Sequence, residues 1–393
     1  MVSLEEAVKI IEKQVIPLES EEVNIMDAMN RVLSDDVYST QNIPPFDKAA
    51  MDGYACRKED LFNILEIVDF IPAGHVSNIS GVLRGTCVKI MTGAPVPKGA
   101  DIVFMKEYVE IIDEKHVRYT GNSLNSNICM TGEDLKVNDL VLEKGTLIQS
   151  SHISVLSSLG IGKIKVSKQP VIAVLSTGSE LAEPGTDLKD GQIFNSNGNQ
   201  LVNRLRQLGF DVTYGGIVID EYNNLKNRIT ELLNNHDVIL LSGGVSVGDL
   251  DLVPQVITDM GFKVHLTELS TKPGKHNLFA TNNGKYVLGL PGNPVSSYVQ
   301  LEVVGRILLN RLMGGNWNPI RILSKLSQPV SRKKFDRLEF IPVSFNDNGE
   351  IIQLSYHGSA HMHAMTNAQA LLEIPSGVKQ LSTSDKIYVR PIQ

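Results

Sequence analysis

The sequence is short of cysteine, with three in 393 residues (Cys56, Cys87 and Cys129) and no Cys-x-x-Cys spacing. That argues against a disulfide framework and a thiolate zinc site, and it fits a reducing compartment. Cys56 and Cys87 read as small core residues. No basic excess is present: 37 Lys and Arg stand against 44 Asp and Glu, for a formal net charge of −7 and no basic stripe. Nucleic acid is therefore not an expected partner. No run approaches the roughly 18 apolar residues of a membrane span, and the first stretch, MVSLEEAVKIIEKQV, is amphipathic rather than a signal peptide. The expected location is cytoplasmic. Neither G-x-x-x-x-G-K-[ST] nor G-x-G-x-x-G occurs, which disfavours a P-loop NTPase and a standard dinucleotide dehydrogenase.

What remains is an ordinary globular composition, 42% hydrophobic and 21% charged, on a chain long enough for two to four domains. Leu4, Ala7, Val8, Ile11 and Val15 recur at helical spacing before Pro17, and a second amphipathic stretch covers 26–33. From Pro44 to about Leu147 the texture is short β-branched runs cut by Gly, Pro and Asn, at 65–70, 87–91, 102–110, 117–119 and 139–142, which predicts an all-β module. A helix at 151–159 ending on Gly160 resumes the helical part, so the β module reads as an insertion. Strands at 171–175, 212–218, 238–241, 263–266 and 287–290 then alternate with helices at 199–207, 225–233, 252–258 and 296–309. That rhythm predicts a doubly wound, mostly parallel α/β domain. Past Gly314 and Gly315, short strands at 320–326, 337–343, 351–354 and 386–390 predict a small C-terminal β domain.

In such a sheet ligands bind beyond the carboxyl ends of the strands, and three ends here carry unusual residues. The first is Ser176-Thr177-Gly178-Ser179-Glu180; the second runs from Ser242, Gly243 and Gly244 through Ser246 to Asp249 and Asp251; the third is Pro291-Gly292-Asn293-Pro294 at a helix start. Glycines let successive N–H groups converge on phosphate oxygens. Taken singly, each loop could be no more than a tight turn with an N-cap; three on one edge point to an anionic, phosphate-bearing ligand. Lys272-Pro273-Gly274-Lys275 adds two point charges for an oxyanion. Carboxylates beside an anion call for a hard cation, and magnesium is the natural mediator. In the inserted module, PPFDKAAMDGYA and IMTGAPVPKGA single out Asp52 as a metal or substrate ligand and Thr92 as a donor, and Asp134 lies in a further acidic turn.

Together PPFDKAAMDGYA, IMTGAPVPKGAD, GEDL, VIAVLSTGSEL, NSNGNQL, DVILLSGGVSVGDLD, KPGK and LGLPGNPVSS resemble, in order and spacing, the molybdopterin molybdotransferase family, which includes MoeA and the E domain of gephyrin. The resemblance implies a multidomain α/β plus β fold. Its parts would be an elongated helical and β dimerisation domain (1–42 plus 146–168), the inserted β domain (43–145), an α/β molybdopterin-binding domain (169–316) and a C-terminal β barrel (317–393). It implies insertion of molybdate into the dithiolene of adenylated molybdopterin, with magnesium- or zinc-dependent cleavage of the anhydride and release of AMP. Asp52, Glu180 and Asp251 would then be catalytic, and Asp52, Asp134, Glu180, Asp220, Asp249 and Asp251 would hold the metal. Thr92, Ser176, Thr177, Gly178, Ser242, Gly243, Gly244, Ser246, Lys272, Lys275, Pro291, Gly292, Asn293 and Pro294 would meet substrate. A homodimer whose second subunit completes the site is implied, as is contact with the molybdopterin adenylyltransferase.

The sequence departs from the family pattern near its end, where Gly358-Ser359-Ala360-His361-Met362-His363-Ala364 replaces a Gly-Ser-Gly followed by two serines. Substrate contacts from that side are in doubt, and His357, His361 and His363 read as solvated rather than metal-bound. Two other functions compete. Adenylylation of molybdopterin would need no acids at Asp52 and Asp134, and a binding scaffold would have lost Asp52, Glu180 or Asp251.

Overall fold

The structure, a computed structural model, describes residues 1–246, 251–356, 358–383 and 385–392. Its first helix, Leu4–Gln14, begins at a capping box: the Ser3 hydroxyl accepts from the Glu6 N–H at 3.1 Å, and the Glu6 carboxylate accepts from the Ser3 N–H at 2.8 Å. Its apolar face, Ala7 and Ile11 with Val15 beyond, packs into the core of the α/β domain. The face is thus covered by the chain itself. The stretch 26–33 is not a helix. Only a short 3₁₀ turn forms at Ile25–Asp27, and Asn30, with a φ of 60°, breaks any continuation.

Strand Ser20–Asn24 pairs antiparallel with Lys163–Ser167, so the two flanks of the inserted module meet around Ile25, Leu33, Ile148, Leu156 and Val166. The insertion itself is a six-stranded sheet in the order Ile102–Met105, Gly53–Cys56, Thr86–Ile90, Ile64–Ile71, His116–Tyr119, Val109–Ile111. The run at 102–110 is two strands, because a 3₁₀ turn at Lys106–Tyr108 separates them.

Within the α/β domain we number β1 (Ile172–Thr177), α1 (Ser196–Gln207), β2 (Val212–Val218), α2 (Tyr222–Leu233), β3 (Val238–Ser242), α3 (Val253–Asp259), β4 (Lys263–Glu268), β5 (His276–Asn282), β6 (Lys285–Leu290) and α4 (Pro294–Gln300). The sheet order is β2-β1-β3-β6-β5-β4, parallel through β6 and antiparallel at β5. Successive residues of β1 and β3 enter opposite cores. Ile172, Val174, Val238 and Leu240 lie on one side and Ala173, Leu175, Ile239 and Leu241 on the other, which is why these strands read as unbroken apolar runs. Each Val, Leu or Ile among them contributes about 1.5–3 kcal/mol of burial. The helix predicted at 296–309 is interrupted: α4 gives way to a π turn at Leu301–Gly305 before Arg306–Leu312.

The C-terminal domain is a curved sheet in which Leu338–Phe345, Ala370–Ile374, Lys386–Pro391 and Ile322–Lys325 pair in sequence. Ile351–Gln353 adds to the first strand, and a single bridge between Leu326 and Ile351 joins the two ends. Among the described residues, closure into the expected barrel thus rests on one bridge. Thr271–Lys272 of the α/β domain pairs in parallel with Leu338 and Glu339, which carries the lysine turn onto this sheet. Among the described residues no helix is long and apolar enough to cross a membrane.

Candidate functional site

The parallel strand ends open into a cleft of about 1600 Å³ that the C-terminal domain walls on its far side. At the end of β1, Ser176 is buried and donates to the Asn195 side-chain Oδ1 at 3.0 Å, so it holds the loop rather than facing the cleft. Asn195 in turn caps α1 by accepting from the Gly198 N–H and donates to the Tyr214 hydroxyl at 2.7 Å. Burial pushes the Tyr214 hydroxyl well above the usual phenol range, and its bond to Glu183 acts in the same sense. Thr177 lines the cleft and donates to Asp220, another lining residue. Gly178 sits behind them, where a Cβ would press on the Glu180 carboxylate at 2.7 Å.

At the end of β3, Gly243 and Gly244 adopt φ of 97° and 64°, and a Cβ on Gly243 would run into the Thr177 carbonyl oxygen. Only glycine lets the two strand ends come this close. Asn197, buried in the first turn of α1, donates to Ser242 at 2.9 Å and to the Gly292 carbonyl at 2.7 Å. One side chain therefore ties the second loop to the third. Ser242, Gly243, Gly244, Ser246, Asp251, Pro291, Gly292, Asn293 and Pro294 all line the cleft with Glu180. Asp249 lies outside the described residues.

Lys272 and Lys275 line the same cleft, and each is paired. The Lys272 ammonium lies 2.7 Å from the Glu339 carboxylate of the C-terminal domain, and Lys275 lies 2.8 Å from Glu268 at the end of β4. Lys275 holds the Glu268 carboxyl below its ordinary range. Glu339 is buried beside Arg332, whose guanidinium also donates to the Arg337, Pro375 and Val378 carbonyls. Arg337 donates to the Thr271 carbonyl at 3.0 Å. Buried Gln300 grips the turn by donating to Thr271 and to the Pro273 carbonyl. Sequence reasoning missed Asn197, Glu339, Arg337 and Gln300. Asn197 alone carried a signal, because it sits in the NSNGNQL segment.

Asp52, Thr92 and Asp134 do not line this cleft. Asp52 is held by its own module, accepting from the Thr92 N–H at 2.9 Å, the Thr92 hydroxyl at 2.7 Å and the Lys106 ammonium at 2.9 Å. These bonds, the Thr92 N–H foremost, hold its carboxyl far below the ordinary range. The six-acid metal set is therefore not assembled in one chain. Among the described residues no three His, Cys, Asp or Glu side chains gather to cage a cation. From the divergent C-terminal segment Gly358, Ser359 and Ala360 line the cleft, His361 and His363 are exposed outside it, and Ala364 is buried. His357 lies outside the described residues.

Residues 2–160 match the family described as the MoeA N-terminal region (domain I and II), and residues 173–311 match the probable molybdopterin binding domain. The chain is 32% identical to a molybdopterin molybdenumtransferase of Staphylococcus epidermidis over 99% of this chain and 95% of that one. It is 31% identical to one of Haemophilus influenzae over 100% and 98%. The crystal structure of the molybdopterin biosynthesis moeA protein from Pyrococcus horikoshii OT3 superposes with a TM-score of 0.83 at 27% identity, covering all of both chains. On full-length likeness of sequence and fold, the chain belongs to the molybdopterin molybdenumtransferase family, transferases of molybdenum cofactor biosynthesis.

Proposed function

We propose that the cleft takes adenylated molybdopterin together with molybdate, and that cleavage of the phosphoanhydride accompanies insertion of molybdenum into the dithiolene, where two Mo–S bonds form as one oxo oxygen leaves as water with the two thiol protons. The observation that carries this reading is the convergence of three strand-end loops, two lysines and the carboxylates of Glu180, Asp220 and Asp251 on one cleft. The N–H groups of Gly243 and Val295 already donate to the Leu290 and Ser359 carbonyls and Pro294 has none, so the second loop and the first turn of α4 would meet phosphate oxygens through Gly244 and Ser296. Lys272 and Lys275 supply charge for an oxyanion. A water oxygen adds to one phosphorus of the anhydride, and the bridging oxygen leaves with the other as AMP departs.

The acids fit a magnesium ion, which takes one or two carboxylates, keeps several waters and shares its remaining positions with substrate phosphates. Glu180, Asp220 and Asp251 do not gather closely enough to cage a cation by themselves, so one or two of them would hold it together with substrate phosphates, with zinc as the alternative, and when bound it would neutralise charge on the phosphate oxygens. Asp220, fixed by Thr177, would orient the edge. Asp52, Thr92 and Asp134 lie outside the cleft of their own chain, which supports a homodimer in which a second copy brings them to it. The adenylyltransferase that makes the nucleotide substrate is the expected partner.

The test is to incubate the chain with adenylated molybdopterin, magnesium and molybdate, and to follow AMP and incorporated molybdenum. Asp251→Ala is expected to abolish AMP release with an unchanged circular dichroism spectrum. Turnover at the unsubstituted rate would remove Asp251 from the reaction.

A further inference from the structure

Both lysines of the turn that faces the cleft are already spent. Lys272 is paired with Glu339 at 2.7 Å and Lys275 with Glu268 at 2.8 Å, and the two carboxylates come from different strands. Glu339 is anchored: its side chain is 6% exposed, Arg332 lies at 3.4 Å, and its backbone is in register with Lys272. Glu268 is at the last position of β4, where His276 also approaches it at 3.7 Å. Glu339 is thus fixed by burial and by Arg332, and Glu268 is held at its strand end between Lys275 and His276. The lysines are about two-fifths exposed, on the open side.

An oxyanion arriving at this turn finds both of its lysines already paired. It must share or take over ammonium groups that a tethered carboxylate already satisfies. A carboxylate carries one negative charge, so a monoanion gains little by the exchange, whereas a tetrahedral dianion gains from its second charge and its additional oxygens. We propose that Glu339 and Glu268 are specificity-determining residues that act as tethered competitors for Lys272 and Lys275, so that the turn admits tetrahedral dianions and refuses monoanions. The inference rests on the reading that this turn receives the oxyanion. It adds that selectivity comes from the carboxylates behind the lysines.

The experiment is calorimetric titration of the full-length chain with sodium molybdate and, separately, sodium formate at low ionic strength. The unsubstituted chain, Glu268→Gln and Glu339→Gln are compared. Removing the competitor removes the cost of displacing it, so each variant is expected to bind molybdate about three- to tenfold more tightly and to gain measurable formate binding. A merely structural glutamate would weaken binding when replaced. The gain from Glu268→Gln must also vanish in a Lys275→Met background, since a distant change in net charge would simply add to it. If Glu339→Gln fails to fold because Arg332 is left without its counter-charge, Glu268→Gln, at a partly exposed site, decides alone. No molybdate binding by the unsubstituted chain would overturn the reading of the turn itself. Molybdate binding left unchanged or weakened in Glu268→Gln would overturn the competitor role and leave that reading standing.

Discussion

Gly243 shows how closely the ends of β1 and β3 approach. With φ of 97° and the Thr177 carbonyl in the place of a Cβ, Gly243→Ala faces both a left-handed backbone and a collision with main chain that cannot rotate away. The expected cost is about 1–3 kcal/mol, read as a lower urea midpoint, with AMP release falling further because the Thr177–Asp220 contact moves with it. Asp52 makes a different prediction at the same scale. Its carboxyl is held below the ordinary value of 3.8, so the folded state binds its proton later than the unfolded chain does. The stabilisation is therefore fully present above pH 3.8 and is lost as pH falls through the lower, folded value. Asp52→Asn is expected to be less stable than the unsubstituted chain at neutral pH, and the gap should narrow below pH 3.8. A gap independent of pH would show that the Lys106 and Thr92 bonds do not favour the charged form.

At the scale of elements, the lysine turn is built by packing rather than by its own sequence. Gly274 has φ of 92°, and a Cβ there would meet the Gln300 side chain at 2.6 Å. Gln300 cannot yield, since it is fully buried and bonded to Thr271 and Pro273. Gly274→Ala is thus expected to raise the KM for molybdate severalfold while the loops of β1 and β3 keep their geometry; an unchanged KM would detach the turn from substrate. The elements that could be read from sequence are those whose burial is two-sided or strictly periodic, such as β1, β3 and the helix Leu4–Gln14. Strand β5 escaped because His276, Asn277 and Asn282 dilute its apolar centre, although Leu278, Phe279 and Ala280 are buried. Ala370–Ile374 escaped because Glu373 breaks its apolar run, although all five residues are buried. The cleft's near edge was legible through its glycines and hydroxyls. Its far wall was not, because Glu339 and Arg337 belong to a strand that sequence placed only as part of another domain. Strand pairing alone, Thr271 with Leu338 and Lys272 with Glu339, brings that wall to the turn.

For the whole molecule, the decisive feature is that the acids implied by the family resemblance fall in two places. Glu180, Asp220 and Asp251 line the cleft, while Asp52 and Thr92 form a hydrogen-bonded pair on the inserted module outside it. Thr92 donates twice and Lys106 once to a carboxylate that is still partly open to solvent, with 28% of its side chain exposed. If a second copy supplies that carboxylate, each working site needs one intact α/β edge and one intact inserted module, taken from different chains. Asp52→Ala and Asp251→Ala homodimers should then both be inactive. Co-expressed with different affinity tags and purified through both, the mixed dimers should recover activity, because one of their two sites combines an intact Asp52 with an intact Asp251. Random assembly yields mixed dimers as about half of the population, with one working site in two, so the unfractionated mixture should release AMP at about a quarter of the unsubstituted rate. Sites built within single chains would behave otherwise: each chain would carry one damaged acid, and no mixture would exceed the activity of its parts.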